Sequence, residues 1–215
     1  MSQSVKDQRI QNAISLFTSG QIKECLKATS KLTELYPNEP FIYNLLGVAN
    51  AAEHQFEKAV AFYKKAIEIN NTFVPALINL GNIELIKDNK QEALSLLIKA
   101  TKVDSNSAPA WINIANVYLQ IGKLQEAEIS FRKVIEINPN FFDAHLNLGA
   151  LLCDIGKLQE AEISIRKAIE LNPNVFNSHY VLGNILLRHK KLQEAEISFR
   201  KAIELNPNFS EAHYQ

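Results

Sequence analysis

Six asparagines of this chain recur at two places of a 34-residue period. Asn79, Asn113 and Asn147 share one place. Asn82, Asn116 and Asn184 share another, three residues further on. A primary amide offers a carbonyl acceptor and an NH2 donor on one side chain. Such a group bonds a peptide backbone running in either direction without reading its side chains. A third place of the same period holds Gln120, Asp154 and Arg188, whose differing charge would tune which side chains a captured segment carries. The plainer alternative is that the amides solvate a wet surface, or that some of them bond a neighbouring helix.

These residues have to be carried by repeated elements. Pro37, Asn71, Ser105, Pro139, Pro173 and Pro207 follow one another at intervals of 34 with no insertion. With that site as position 32, the units are 6–39, 40–73, 74–107, 108–141, 142–175 and 176–209, and 210–215 opens a seventh. Positions 4, 7, 8 and 11 recur as apolar or small, for example Trp111, Ile114, Ala115 and Tyr118. That spacing makes one face of a helix. Positions 20, 24 and 27 repeat the pattern in the second half, as in Ala127, Phe131 and Val134. Each unit therefore reads as helix A, a turn and helix B. Gly47, Gly81, Gly149 and Gly183 stand at position 8, where a missing side chain would let the two backbones approach. Gly20, Gly122 and Gly156 close helix A at position 15 in a left-handed conformation. His54, Asp88 and Lys190 replace glycine there, which predicts less favourable or differently shaped turns. A period of this length argues for stacked helical hairpins in one array over residues 1–215, not for a single globular core.

Trp or Leu at position 4, Leu-Gly at 7–8, Tyr at 11, Ala at 20, Phe or Tyr at 24, Ala at 27 and Pro at 32 resemble the tetratricopeptide repeat across residues 6–209. The resemblance implies an all-α fold, a right-handed solenoid or superhelix of stacked antiparallel helix pairs. Unit one departs most, with Arg9, Asn12 and Thr29 off the pattern, and reads as an N-terminal cap. The asparagines at position 6 also resemble the ladder in the repeat domain of O-linked N-acetylglucosamine transferases. By that resemblance Asn79, Asn113 and Asn147 would grip a peptide backbone, with Leu45 and Val181 interrupting the ladder at its ends. Chaperone-adaptor repeats instead hold a terminal carboxylate with cations on helix A. Unit one offers Ile10 and Ile14 there, so carboxylate capture is not expected.

Positions 2, 6, 9 and 13 lie opposite 4, 8 and 11 on helix A, so they should line a concave groove running from hairpin to hairpin. Neighbouring helices stack at about 8–10 Å, and an extended peptide advances about 3.1 Å per residue. One repeat step then matches roughly three peptide residues. Ala52 and Ile86 extend the groove with apolar surface. On helix B the pairs Glu128–Arg132, Glu162–Arg166 and Glu196–Arg200 stand four apart and read as a solvated charge ladder.

Other chemistry finds little support. Lys plus Arg equals Asp plus Glu, 23 each, which argues against a nucleic-acid partner. His145, His179 and His213 recur at position 4, but at one-repeat spacing they cannot converge on a metal and read as core. His54 and His189 lie at the A–B corner and read as exposed. No phosphate loop, Cys-x-x-Cys or nucleophile elbow occurs, so no cofactor, metal or catalytic residue is expected. Cys25 and Cys153 read as reduced core thiols. No secretory signal and no membrane-spanning run is visible, which points to the cytoplasm.

The expected function is a protein–protein or peptide interaction scaffold. Two alternatives stand beside it. One is the recruiting arm of a larger glycosyltransferase or sulfotransferase, because Phe41 to Gly47 resembles the opening of bacterial repeat arrays fused to such domains. The other is a self-assembling scaffold that forms homo-oligomers through exposed ends. Glu211-Ala212-His213 copies Asp143-Ala144-His145, so the chain reads as ending inside a seventh helix A. That would leave Phe199 and Ile203 exposed.

Overall fold

The computed structural model describes residues 3–208. The start of the seventh unit, with His213, lies outside the described residues. Among those described there are twelve helices and no strand. They are α1 (Gln3–Thr18), α2 (Ile22–Leu35), α3 (Pro40–Ala52), α4 (Phe56–Ile69), α5 (Val74–Ile86), α6 (Lys90–Val103), α7 (Ala108–Gln120), α8 (Leu124–Ile137), α9 (Phe142–Asp154), α10 (Leu158–Leu171), α11 (Phe176–Arg188) and α12 (Leu192–Leu205). Odd-numbered helices are the A helices and even-numbered ones the B helices. The chain falls into two compact units, the first running to Asn113 and the second starting at Ile114.

In the first unit α1 to α6 pack in chain order, and the A helices α3 and α5 also touch. The second unit repeats the arrangement from α8 to α12, with α9 touching α11. Local signals set the boundaries. Pro40 and Pro75 stand in the first turn of their helices, where the absent N–H costs nothing. Every helix B after α2 is followed by an Asn or Asp at position 31 whose side chain accepts from the backbone N–H two residues on. Asn70, Asp104 and Asn138 do so at 3.0, 3.0 and 3.1 Å. This Asx turn fixes the reversal into the next unit.

The A–B turn has one shape throughout. Gly20, Gly122 and Gly156 have φ of 77°, 73° and 83°, and His54, Asp88 and Lys190 have 57°, 61° and 62°. The three non-glycine turns therefore keep the left-handed conformation and absorb a cost of about 1–2 kcal/mol each.

The position 8 glycines correct the sequence reading. What occupies the missing side chain's volume is mainly the position 24 side chain of the same hairpin, not an approaching backbone. A Cβ on Gly47 would lie 2.4 Å from the Tyr63 ring, and one on Gly149 would lie 2.5 Å from Ile165 Cγ1. Small residues at positions 20 and 27 complete the layer: Ala59, Ala93, Ala127 and Ala161 are fully buried, as are Ala66, Ala100, Val134 and Ala168. Tyr63 is buried enough that desolvation pushes its phenol up to about 12. Cys25 and Cys153 are buried free thiols. Phe199, expected to be exposed, is buried against Gly183 and beside the Tyr180 ring. The exposed large apolar residues described in that repeat are Leu187, Leu192 and Ile197 instead.

Candidate functional site

The helix A stripe is graded in depth. Positions 6 and 9 are half-buried in Asn79, Asn82, Asn113, Asn116, Asn147 and Asn184, and position 13 is exposed in Gln120, Asp154 and Arg188. The grading follows from helix geometry. Residues three or four apart lie on one face, and those nearest the core-facing positions are partly covered by the next hairpin.

In the first unit the amides bond sideways. Asn79 Nδ2 donates to Asn44 Oδ1 at 3.0 Å, and Asn113 Nδ2 donates to Asn82 Oδ1 at 2.7 Å. Each bond joins one A helix to the preceding one. Asn44, at position 5, is the partner that the sequence pattern missed, because it lies one residue off the stripe. In the second unit the stripe is more open. Among the described residues, Asn116, Asn147 and Asn184 carry no side-chain hydrogen bond. Arg188 is tied down, its guanidinium donating to the Cys153 carbonyl, so it joins α11 to α9. Asp154 stays exposed at the end of α9.

Three of the position 4 side chains share one task. Trp111 Nε1 donates to the Ser105 carbonyl at 2.9 Å. His145 Nε2 and His179 Nε2 each lie 2.8 Å from the carbonyls of Pro139 and Pro173. Each ring nitrogen thus reaches the position 32 carbonyl six residues back, which requires the Nε2–H tautomer of the histidines. The histidines do the work of the tryptophan N–H, pinning the inter-repeat loop.

Helix B of the second unit carries a two-directional charge ladder. Within repeats, Glu128–Arg132, Glu162–Arg166 and Glu196–Arg200 close at 2.9, 2.8 and 2.7 Å. Between repeats, Lys157 reaches Glu128 at 2.9 Å, Lys191 reaches Glu162 at 3.2 Å and Arg166 reaches Glu194 at 3.2 Å. Arg132 likewise reaches Glu160. Desolvation opposes ionisation of Glu128, but hydrogen bonds and charge from Lys157 and Arg132 outweigh it and hold its carboxyl below the ordinary 4.5. Glu162 is lowered for the same reasons, by Arg166 and Lys191. His189, expected to be exposed, is half-buried with Nδ1 3.2 Å from Glu162.

Among the described residues no helix is long and apolar enough to cross a membrane. No group of three or more His, Cys, Asp or Glu side chains is placed to hold a metal there.

Comparison with known proteins bears on the fold. Family models described as tetratricopeptide repeat match residues 108–141 and 176–209, 130–163 and 42–73. The solved structure of PilF from Pseudomonas aeruginosa superposes with a TM-score of 0.89 at 19% identity, covering 98% of this chain and 96% of that one. YrrB, described as a TPR protein with an unusual peptide-binding site, gives 0.76 at 22% identity over 88% of this chain and 97% of that one. MamA gives 0.70 at 23% identity, over 80% of this chain and 94% of that one. A curated sequence, the uncharacterized protein ycf37 of Cyanophora paradoxa, is 43% identical over 54 residues, 25% of this chain and 31% of its own length. The match thus spans under a third of that relative. The repeat period, the paired helices and the matched family models agree, and the chain belongs to the tetratricopeptide-repeat family.

Proposed function

We propose that this chain is a non-catalytic interaction scaffold that takes extended peptide segments on its helix A stripe. The observation that carries this reading is the half-buried row of amides at positions 6 and 9. An NH2 group has two hydrogens, so Asn79 and Asn113 keep one after bonding sideways. Asn116, Asn147 and Asn184 keep both. A half-buried amide is held in place by its neighbours yet still reaches a ligand, so it loses little rotamer entropy on binding. The stripe thereby presents preset donors and acceptors to a backbone. Asp154 and Arg188, one repeat apart at the exposed edge, supply the charge that selects side chains. YrrB, with its described peptide-binding site, is a structural neighbour in keeping with this role.

The test is selection of unstructured peptides from a displayed random library on the intact chain. Selected peptides are then titrated against wild type and Asn116→Ala/Asn147→Ala/Asn184→Ala. Three hydrogen bonds at about 1 kcal/mol each predict a loss on the order of a hundredfold in affinity, with the helical circular-dichroism signal unchanged. Equal affinity for the two proteins would remove the amides from the binding site.

A further inference from the structure

Position 22 on helix B departs from the rest of the surface. It holds Ile129, Ile163 and Ile197 in the second unit, with 65%, 70% and 68% of their surface exposed. In the first unit the same position holds Lys27, Ala61 and Ser95. Single exposed aliphatics are ordinary, but a row of three at one period is an interface signal. Each isoleucine has a fixed charge setting. An acid stands three residues before it (Glu126, Glu160, Glu194). Two bases stand three and four residues after it (Arg132 and Lys133, Arg166 and Lys167, Arg200 and Lys201). All lie on the isoleucine's own helix face. Ile163 also borders two hollows. One, of about 560 Å³, is lined by Arg132, Ile135, His145 and Leu148 among others. The other, of about 480 Å³, is lined by Gln159, Glu162, Arg166, His189 and Lys191.

We infer that this helix B face binds a second copy of the chain about a two-fold axis that lies in the face and crosses the helices along the row of isoleucines. A two-fold contact must be self-complementary, so that residue i meets j and j meets i. The face meets that condition in charge and in shape. Rotation about that axis reverses helix direction and sets Glu160 of one copy against Arg166 and Lys167 of the other. It keeps the rungs in order, bringing each isoleucine of one copy to its own counterpart in the other. Apolar ridges and hollows occur on the same face, so one copy's ridge has a hollow to enter. A polyanion is a poor fit, because every rung offers acid as well as base. The contact is independent of the helix A stripe, which lies on the other helix of each hairpin.

Disulfide trapping on the intact chain tests the axis. The native thiols, Cys25 and Cys153, are buried and do not compete. Ile163→Cys alone should form a covalent dimer under mild oxidation. Ile129→Cys alone should do the same, whereas Ile129→Cys mixed with Ile197→Cys should give no mixed dimer. Sedimentation velocity supplies a second readout: a concentration-dependent dimer for wild type, and a monomer for Ile129→Glu/Ile163→Glu/Ile197→Glu at the same concentrations. These side chains are two-thirds exposed, so the variants should fold. A wild-type chain that stays monomeric overturns the inference. So does a dimer that survives the triple glutamate change, which would point to the ends of the array, or an Ile129→Cys chain that cross-links to Ile197→Cys as readily as to itself.

Discussion

The two units bind hairpin to hairpin with different chemistry on different helices. In the first, neutral amides on helix A make the joins, Asn79 to Asn44 and Asn113 to Asn82. In the second, ions on helix B make most of them, beside the Arg188 join on helix A: Lys157 to Glu128, Lys191 to Glu162, Arg132 to Glu160 and Arg166 to Glu194. The sequence cause is local. Position 21 is Val60 and Leu94 in the first unit, and Glu128 and Glu162 in the second. The apolar layer at positions 8, 20, 24 and 27 is common to both. The 34-residue backbone therefore tolerates either kind of lateral join, and where helix B holds the stack, the described helix A amides carry no side-chain hydrogen bond, which is what the proposed peptide stripe requires.

The largest expected effect is on what the units share. Phe131, fully buried in α8, should cost about 3–5 kcal/mol when changed to Ala. Repeat arrays couple mainly between neighbours. Hydrogen exchange should therefore accelerate in α8 to α10 while α3 and α4 stay protected, and uniform acceleration would contradict the separation into units. Next comes a contrast at position 8. Gly149→Ala places a Cβ 2.5 Å from Ile165 Cγ1 and 3.2 Å from its backbone nitrogen, an overpacking cost of about 1–3 kcal/mol. Gly81→Ala meets Leu97 at 3.1 Å. There the helix-propensity gain of about 1 kcal/mol should leave thermal stability nearly unchanged.

Acid should separate the units at a smaller scale. The carboxyls of Glu128 and Glu162 are held below 4.5 in the folded chain. Their contribution is complete above the unfolded value and is lost as pH falls through the folded one. Lowering the pH below about 4.5 should loosen the second unit first in an exchange experiment, and Glu128→Gln/Glu162→Gln should flatten that response. Each substitution should cost about 1 kcal/mol at neutral pH, since the pairs are partly solvated. The smallest effect belongs to the amide join: Asn79→Ala should cost about 0.5–1.5 kcal/mol with no pH dependence, as urea unfolding would show.

Much of this was legible in the sequence. Proline and glycine punctuation marked the helix ends, and the acid-to-base spacing of four predicted the three pairs within repeats. What escaped depends on lateral offset between hairpins. Glu128 meets Lys157, 29 residues on, and Asn44 meets Asn79, 35 residues on; neither matches the period of 34. Packing at position 8 also escaped, since a glycine reports an empty volume without naming the side chain that enters it. His145 read correctly as core, but its bond to the Pro139 carbonyl emerged only beside Trp111.

The most direct measurement of the binding claim is an amide chemical-shift map of the chain with a library-selected peptide. The stripe at positions 6, 9 and 13 should shift, strongest at Asn116, Asn147 and Asn184 and extending to Asp154 and Arg188, while position 22 stays still. Shifts confined to Ile129, Ile163, Ile197 and their charged neighbours would contradict it and move ligand capture to helix B.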